Sequence, residues 1–328
     1  MDIIKLSHGS GGAETAALIR EVFMKYFHND INLSMNDSAV LDVSGRIAFT
    51  SDSYVVKPVF FQGGDIGRLA VCGTVNDLLT SGAEPLYISA CFIIEEGFLI
   101  SDLHKICRSM AEATDEAGVK IVTGDTKVIE SSEHGGLYIN TSGIGKIHGK
   151  EVSFSDAGPG DAIIVTGNLG DHHACILGSR LNMQSSIKSD AAPLVNIISA
   201  LIKSQIPLHG IRDITRGGLA TVLNELAESC KMCAEIDESD IPVSKEVKGF
   251  CGILGLDPLY MGNEGKMVIV LPETDAGRAL SIIRRQKYGE SAAVIGRLTE
   301  GSGSVLRTRL GARRILPPLR GEGLPRIC

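Results

Sequence analysis

Four aspartates in the first half of the chain stand where an apolar run meets small residues. They are Asp37 in MNDSAV, Asp52 in FTSDSYVV, Asp77 in TVNDLLTSGAEP and Asp125 in IVTGDTK. Serine, threonine and glycine neighbours let a ligand come close to the backbone. Oxygen-only ligation by carboxylates suits Mg²⁺, which is normally shared with phosphate oxygens and water. Lys127, two residues after Asp125, adds a charge that can neutralise a phosphate. Each acid alone reads equally as a solvated turn aspartate. The recurrence of four in one half favours a metal and nucleotide site. HGSGG (8–12) is glycine-rich and precedes a helical pattern, where backbone N–H groups could cradle an anion. Neither G-x-x-x-x-G-K-[ST] nor a G-x-G-x-x-G between strand and helix occurs, so a nucleotide is expected to be held mainly through carboxylate-bound metal.

A second chemical signal is the end, PPLRGEGLPRIC. Pro317, Pro318 and Pro325 each remove a backbone donor, and Gly321 and Gly323 add freedom. The last residue, Cys328, carries a thiol, a soft nucleophile. Twelve residues from Pro317 reach at most roughly 40 Å when extended. The plain alternative is an incidental cysteine on a frayed terminus. Cys230 and Cys233 form a lone C-x-x-C with no second pair nearby, at a helix end entering a strand, and read as packing cysteines. His172 and His173 follow Asp171, which reads as a helix N-cap.

The 328 residues are 44% hydrophobic and 22% charged, enough for two domains with real cores. No run of about 18 apolar residues appears, which speaks against a membrane span. MDIIKLSHGSGG lacks a basic then apolar leader. Eight cysteines without an export signal point to a reducing compartment, so a cytoplasmic location is expected. Net charge is −7, unevenly spread. From Arg307 to Cys328, six arginines against Glu322 give +5, leaving −12 on the remainder. Such an arm could bind nucleic acid, a partner, or the protein's own acidic surface; without interleaved aromatics the nucleic-acid reading is weak, and no nucleic acid is expected.

The elements that must position these residues follow from periodicity. Ala17, Leu18, Val22, Phe23, Tyr26 and Phe27 recur at helical spacing. Strands are expected at 39–43, 46–51, 86–94 and 137–145, with helices near 65–81 and 102–117. After Gly158-Pro159-Gly160 the pattern restarts: a strand at 162–167, helices near 171–180, 191–204 and 217–230, strands near 267–271 and 292–296. Residues 65–81 and 213–229 align without gaps, sharing D-I-x-R and six identities, which favours a duplicated α+β unit. The expected organisation is an N-terminal domain over 1–152, a second α+β domain over 153–314, and a tail over 315–328.

HGSGG, NDSAV, TSDSYVV, GTVNDLLTSGAEP, VTGDTKVI, the GDH of 170–172, DITRGGLA, MGNEGK and the final PRIC occur in this order. The whole chain resembles the HypE family of hydrogenase expression/formation proteins. That family is part of the superfamily of aminoimidazole ribonucleotide synthetase, selenophosphate synthetase and thiamine monophosphate kinase. The aspartate motifs specify the superfamily; the flexible arm ending in PRIC specifies the family. NDSAV has Asn36 and Ser38 where related sequences often show Asp and Ala, and His173 stands where a small residue is common.

The resemblance implies a two-domain α+β fold of the aminoimidazole ribonucleotide synthetase type. It also implies a homodimer whose N-terminal halves join their sheets into a shared β-barrel, with ATP near that interface. It further implies that Cys328 is carbamoylated by a carbamoyltransferase partner. The thiocarbamate is then dehydrated with ATP to a thiocyanate, and the cyano group passes to iron on a scaffold complex for [NiFe] hydrogenase. Carried over by motif, Asp37, Asp52, Asp77 and Asp125 hold Mg-ATP and Lys127 contacts phosphate. Asp77 shares metal and catalytic roles, Glu264 of MGNEGK is the base, Cys328 carries the substrate and Arg326 guides the tail. The enzymatic alternative is an ATP-dependent small-molecule kinase or synthetase of the same superfamily. The non-enzymatic alternative is an interaction module with the tail as a docking peptide.

Overall fold

The computed structural model describes residues 3–33, 38–131 and 136–319. The chain opens with helical turns, α1 (Ala13–Leu18), a π-helical turn over Ile19–Phe23 and α2 (Met24–Phe27). Leu18, Val22, Phe23 and Phe27 are buried, as the helical spacing demands. The first sheet uses β1 (Arg46–Tyr54), β4 (Glu84–Glu95), β5 (Lys120–Ile129) and β6 (Leu137–Ile147) in the order β1-β6-β4-β5. A two-stranded ribbon, β2 (Phe60–Phe61) and β3 (Gly64–Asp65), leads into α3 (Ile66–Thr80). The amphipathic α4 (Ile100–Ala117) packs beside α3. It buries Leu103, Ile106, Cys107, Met110 and Ala113 at three- and four-residue spacing and ends on Gly118, left-handed at φ +71°.

The second sheet has seven strands. They are β7 (Asp161–Val165), β8 (Gly210–Asp213), β9 (Cys233–Asp237), β10 (Met267–Pro272), β11 (Ala293–Thr299), β12 (Gly303–Arg307) and β13 (Arg313–Ile315). Their order is β13-β12-β9-β11-β7-β10-β8, antiparallel except for β9 with β12. Around it lie α5 (Asp171–Arg180), α6 (Val195–Lys203), α7 (Gly218–Cys230), α8 (Lys245–Leu254) and α9 (Glu273–Arg284). The unbroken apolar runs of β7 and β10 are buried on both faces. Ile164, Met267, Ile269 and Leu271 pack into the core shared with the first domain. Ile163, Val165, Val268 and Val270 pack into a core with Leu219, Leu223 and Leu226 of α7.

The first sheet stays open within the chain, with β1 and β5 as its edges, so a barrel would need the second copy that the resemblance implies. The two-domain α+β architecture agrees with the sequence reading; α8, α9, β5 and β8 were not among the expected elements, and three further details differ. Residues 39–43 form no strand and pair with no strand among the described residues. Gly170, at φ +88°, is the N-cap of α5, and Asp171 is its first helical residue. The chain stays packed beyond Arg307. β12 and β13 edge the second sheet, and Leu316 is buried with its N–H donated to the Ser304 carbonyl.

Candidate functional site

The site is built around α3, which is buried on nearly every side. Its start is fixed by Asp65, whose carboxylate accepts from the N–H groups of Gly67 and Arg68 at 2.8 and 3.0 Å. Its last turn presents Asp77. Along this helix runs β1, whose alternation turns Ala48, Thr50, Asp52 and Tyr54 inward. The Thr50 hydroxyl donates to Asp77 Oδ2 at 2.9 Å. Burial pushes the Asp77 carboxyl up to about 6, helped by the charges of Asp213 and Asp52 and opposed by the Thr50 hydrogen bond and Arg212. Asp213, at the end of β8, is likewise raised, chiefly by burial. A cavity of about 430 Å³ opens between the domains here, lined by Thr50, Asp77, Thr80, Arg212 and Asp213.

Tyr54 reports how the second domain joins this cluster. Its hydroxyl lies against Gly73, where a Cβ would sit 2.1 Å from the oxygen. Burial holds its ionisation well above the ordinary tyrosine value, reinforced by the charges of Asp52, Glu264 and Asp77. Glu264 is 8% exposed and lies in the loop entering β10. It therefore acts electrostatically on the same hydroxyl as two acids of the first domain.

Asp125 and Lys127 lie elsewhere. They form an exposed ion pair of 3.1 Å on β5. The register Ser53–Asn140–Cys91–Asp125 places Asp125 three strands from β1 and on the opposite face from Asp52. At a strand spacing of about 4.8 Å, the separation across the sheet is roughly 14 Å. Beside Asp125 a cavity of about 530 Å³ opens, lined by Thr15, Ile19, Phe23, Phe27 and Gly124. The structure thus brings Asp52 and Asp77 together and leaves Asp125 apart. Among the described residues no group of three or more His, Cys, Asp or Glu is arranged to hold a metal. Asp37, Arg326 and Cys328 lie outside the described residues.

Asp213, Tyr54 and Asn76 were not singled out by sequence reasoning. For Asp213 a signal existed, since it aligns with Asp65 in the internal echo. The two differ in use: Asp65 caps α3, whereas Asp213 ends β8 before α7 begins at Gly218. The C-x-x-C serves packing: the Cys230 thiol donates to the Leu226 carbonyl at 3.0 Å, and Cys233 is buried in β9. His172 and His173 are buried and held down to about 4 by desolvation, so they are neutral near pH 7.

Fold and site define a two-domain protein of the AIR synthase-related class. The family model "AIR synthase related protein, N-terminal domain" matches residues 35–147, and its C-terminal counterpart matches residues 158–309. Within that class, the chain is 46% identical to the carbamoyl dehydratase HypE of Rhodobacter capsulatus over 99% of this chain and 98% of that protein. A crystal structure of the hydrogenase maturation protein HypE in complex with ATP superposes with a TM-score of 0.95 at 43% identity, covering 98% of this chain and 99% of that one. HypE in a HypE–HypF complex gives a TM-score of 0.81 at 45% identity, covering 92% and 100%. The chain belongs to the HypE carbamoyl dehydratase family, a family of enzymes.

Proposed function

We propose that this chain uses ATP to dehydrate an S-carbamoyl group on its own Cys328 to a thiocyanate, as a step in hydrogenase maturation. The observation that carries the reading is the seam between the domains, where Thr50 donates to Asp77 at 2.9 Å and Asn76, the neighbour of Asp77 on α3, donates to the Glu264 carbonyl at 3.4 Å. An ATP complex and a HypF complex of relatives add support. Overall, R–S–CO–NH₂ and ATP give R–S–C≡N, ADP and phosphate. The amide-type oxygen is a poor leaving group. The γ-phosphoryl is transferred to it, and it departs as phosphate while the nitrogen gives up its two protons. Glu264 is positioned in the reading as the carboxylate that takes an N–H proton. Asp77 orients the phosphate end of the cleft, and Lys127, on β5, would contact phosphate from the second copy of the homodimer.

The donor set suits Mg²⁺. The charges of Asp213 and Asp52 raise the Asp77 carboxyl, a like-charge crowding that a divalent cation would relieve. In this reading Asp52 and Asp77 would hold the ion from this side together with Asp37, and Asp125, on the opposite face of the sheet, would contribute from the second copy of the homodimer. When bound, it supplies charge neutralisation for the polyphosphate. The reading retains 1–152 as the ATP-binding and dimerisation domain, 153–314 as the second domain and 315–328 as the tail, with Arg326 guiding Cys328. It also retains a cytoplasmic homodimer, a carbamoyltransferase partner and an iron-cyanide scaffold complex for [NiFe] hydrogenase. The test is mass spectrometry of the C-terminal peptide after carbamoylation and addition of Mg-ATP. Loss of one water, absent with ADP, is expected. A carbamoylated peptide that stays intact while ATP binds would return the small-molecule kinase reading.

A further inference from the structure

We infer that Asp190 is a positioning residue for Glu264, holding the peptide frame that carries its carboxylate. The inference rests on the reading of Glu264 as the base. Asp190 Oδ1 accepts the Glu264 N–H at 3.0 Å. Its Oδ2 meets Lys266 Nζ at 3.1 Å, and the two side chains are only 5% and 9% exposed. One carboxylate therefore grips the loop on both sides of Gly265. Between those grips the backbone lies flat on the 190–192 segment: a Cβ on Gly265 would stand 1.9 Å from the Asp190 carbonyl oxygen and 3.0 Å from the Ala192 nitrogen. Lys266 closes the frame by donating to the Gly265 carbonyl at 3.0 Å.

The frame is tied to α3 by Asn76, the neighbour of Asp77. Asn76 Nδ2 donates to the carbonyls of Ala192 at 3.0 Å and Glu264 at 3.4 Å, and its Oδ1 accepts from the Leu194 N–H at 2.9 Å. Both peptide groups of Glu264 are thereby held, one by Asp190 and one by the helix that carries Asp77. A buried ion pair is a poor source of stability, because desolvation offsets its attraction. Spent on the two flanks of one functional residue, it fixes geometry instead. Misplacement of a reacting group by about 1 Å can cost about 10²-fold in rate.

The test is the single-turnover rate of water loss from carbamoylated protein at saturating Mg-ATP. Asp190→Ala is expected to lower the rate about 10–100-fold with ATP affinity unchanged. Asp190→Asn, whose amide oxygen still accepts the Glu264 N–H, is expected to recover most of it. In a Glu264→Gln background Asp190→Ala should add no further loss, as befits two residues acting as one unit. Were Asp190→Ala not to fold, Asp190→Ala with Lys266→Met removes the orphaned ammonium and takes its place. Wild-type rates in the alanine variant, an asparagine variant as slow as alanine, or an undiminished effect in the Glu264→Gln background would each overturn the inference. A Glu264→Gln enzyme at full rate would instead remove the reading of Glu264 as base, and this inference with it.

Discussion

At Asp77, burial and the charges of Asp213 and Asp52 act in one direction and raise the carboxyl to about 6. The folded state then binds more protons than the unfolded chain between about pH 4 and 6, so this group lowers stability as pH rises through that window. Asp77→Asn removes the charge that the site holds at a cost. The variant is expected to gain about 2 kcal/mol of stability at pH 8 without ligand, a gain that shrinks as pH falls through 6 toward 4. Urea unfolding of both proteins across that range measures it, and a pH-independent difference would remove the account. The same substitution should abolish Mg-dependent ATP binding, since stability and function pull the residue in opposite ways. At this scale the sequence identified Asp77 because small neighbours flank it in TVNDLLTSGAEP. It did not identify Tyr54 or Asn76. Tyr54 looks like a core residue in the sequence and Asn76 stands there only as one of the six identities of the internal echo; the crossing of α3 with β1 and the 190–194 segment gives them their neighbours.

Helices α3 to α7 and strands β4, β6, β7 and β10 were legible because their periodicity is enforced by burial, whereas α8, α9, β5 and β8 were not read from the sequence. The continuous run of β7 and the three-and-four spacing of α4 each survive from sequence to fold. Elements defined by long-range pairing were not. β12 and β13 contain exposed arginines and polar residues, and they exist because β9 offers an edge. Residues 39–43 carry a strand-like pattern and yet pair with no strand among the described residues. Close packing of α3 makes a sharper prediction at this scale. Gly73 is a helix-interior glycine, so Gly73→Ala should by propensity alone stabilise by about 1 kcal/mol. Contact with the Tyr54 hydroxyl reverses the sign: a Cβ there would stand 2.1 Å from the oxygen, and overpacking of this kind costs about 1–3 kcal/mol. The urea midpoint should fall without a change in slope, and ATP affinity should fall with it, because Tyr54 sits beside Asp52 and Asp77. A midpoint above wild type would show that Tyr54 moves aside freely.

For the whole molecule, charge and exposed apolar surface need separate treatment. The +5 segment was expected to be a mobile arm drawn to an acidic body. Half of its arginines are already committed: Arg307 pairs with Asp237, Arg313 with Glu235 and Arg314 with Asp257. Tyr260 also donates to the Pro317 carbonyl at 3.0 Å, so the anchored chain extends to the prolines. Only Arg320, Glu322 and Arg326 lie beyond Leu319, a net charge of +1. Salt should therefore affect turnover of the tail-linked group only weakly. The outer face of the first sheet makes the stronger claim. Phe49 is 68% exposed and Ile47 51%, and Phe49 is in register with Ile144, which is in register with Tyr87. Apolar residues in register across an uncovered sheet face are the kind of surface a second copy would cover, and two such sheets face to face would supply the shared barrel that one chain does not close. Phe49→Asp is expected to weaken self-association by about 30-fold or more, as loss of a central aromatic anchor does, and sedimentation velocity over a concentration series measures the shift. Because Asp125 sits on this same outer face, three strands from Asp52, ATP turnover should fall with the dimer if the nucleotide site spans both copies. Undiminished association in Phe49→Asp would place any dimer contact on another surface, and undiminished turnover in a monomeric variant would confine the nucleotide to a single chain.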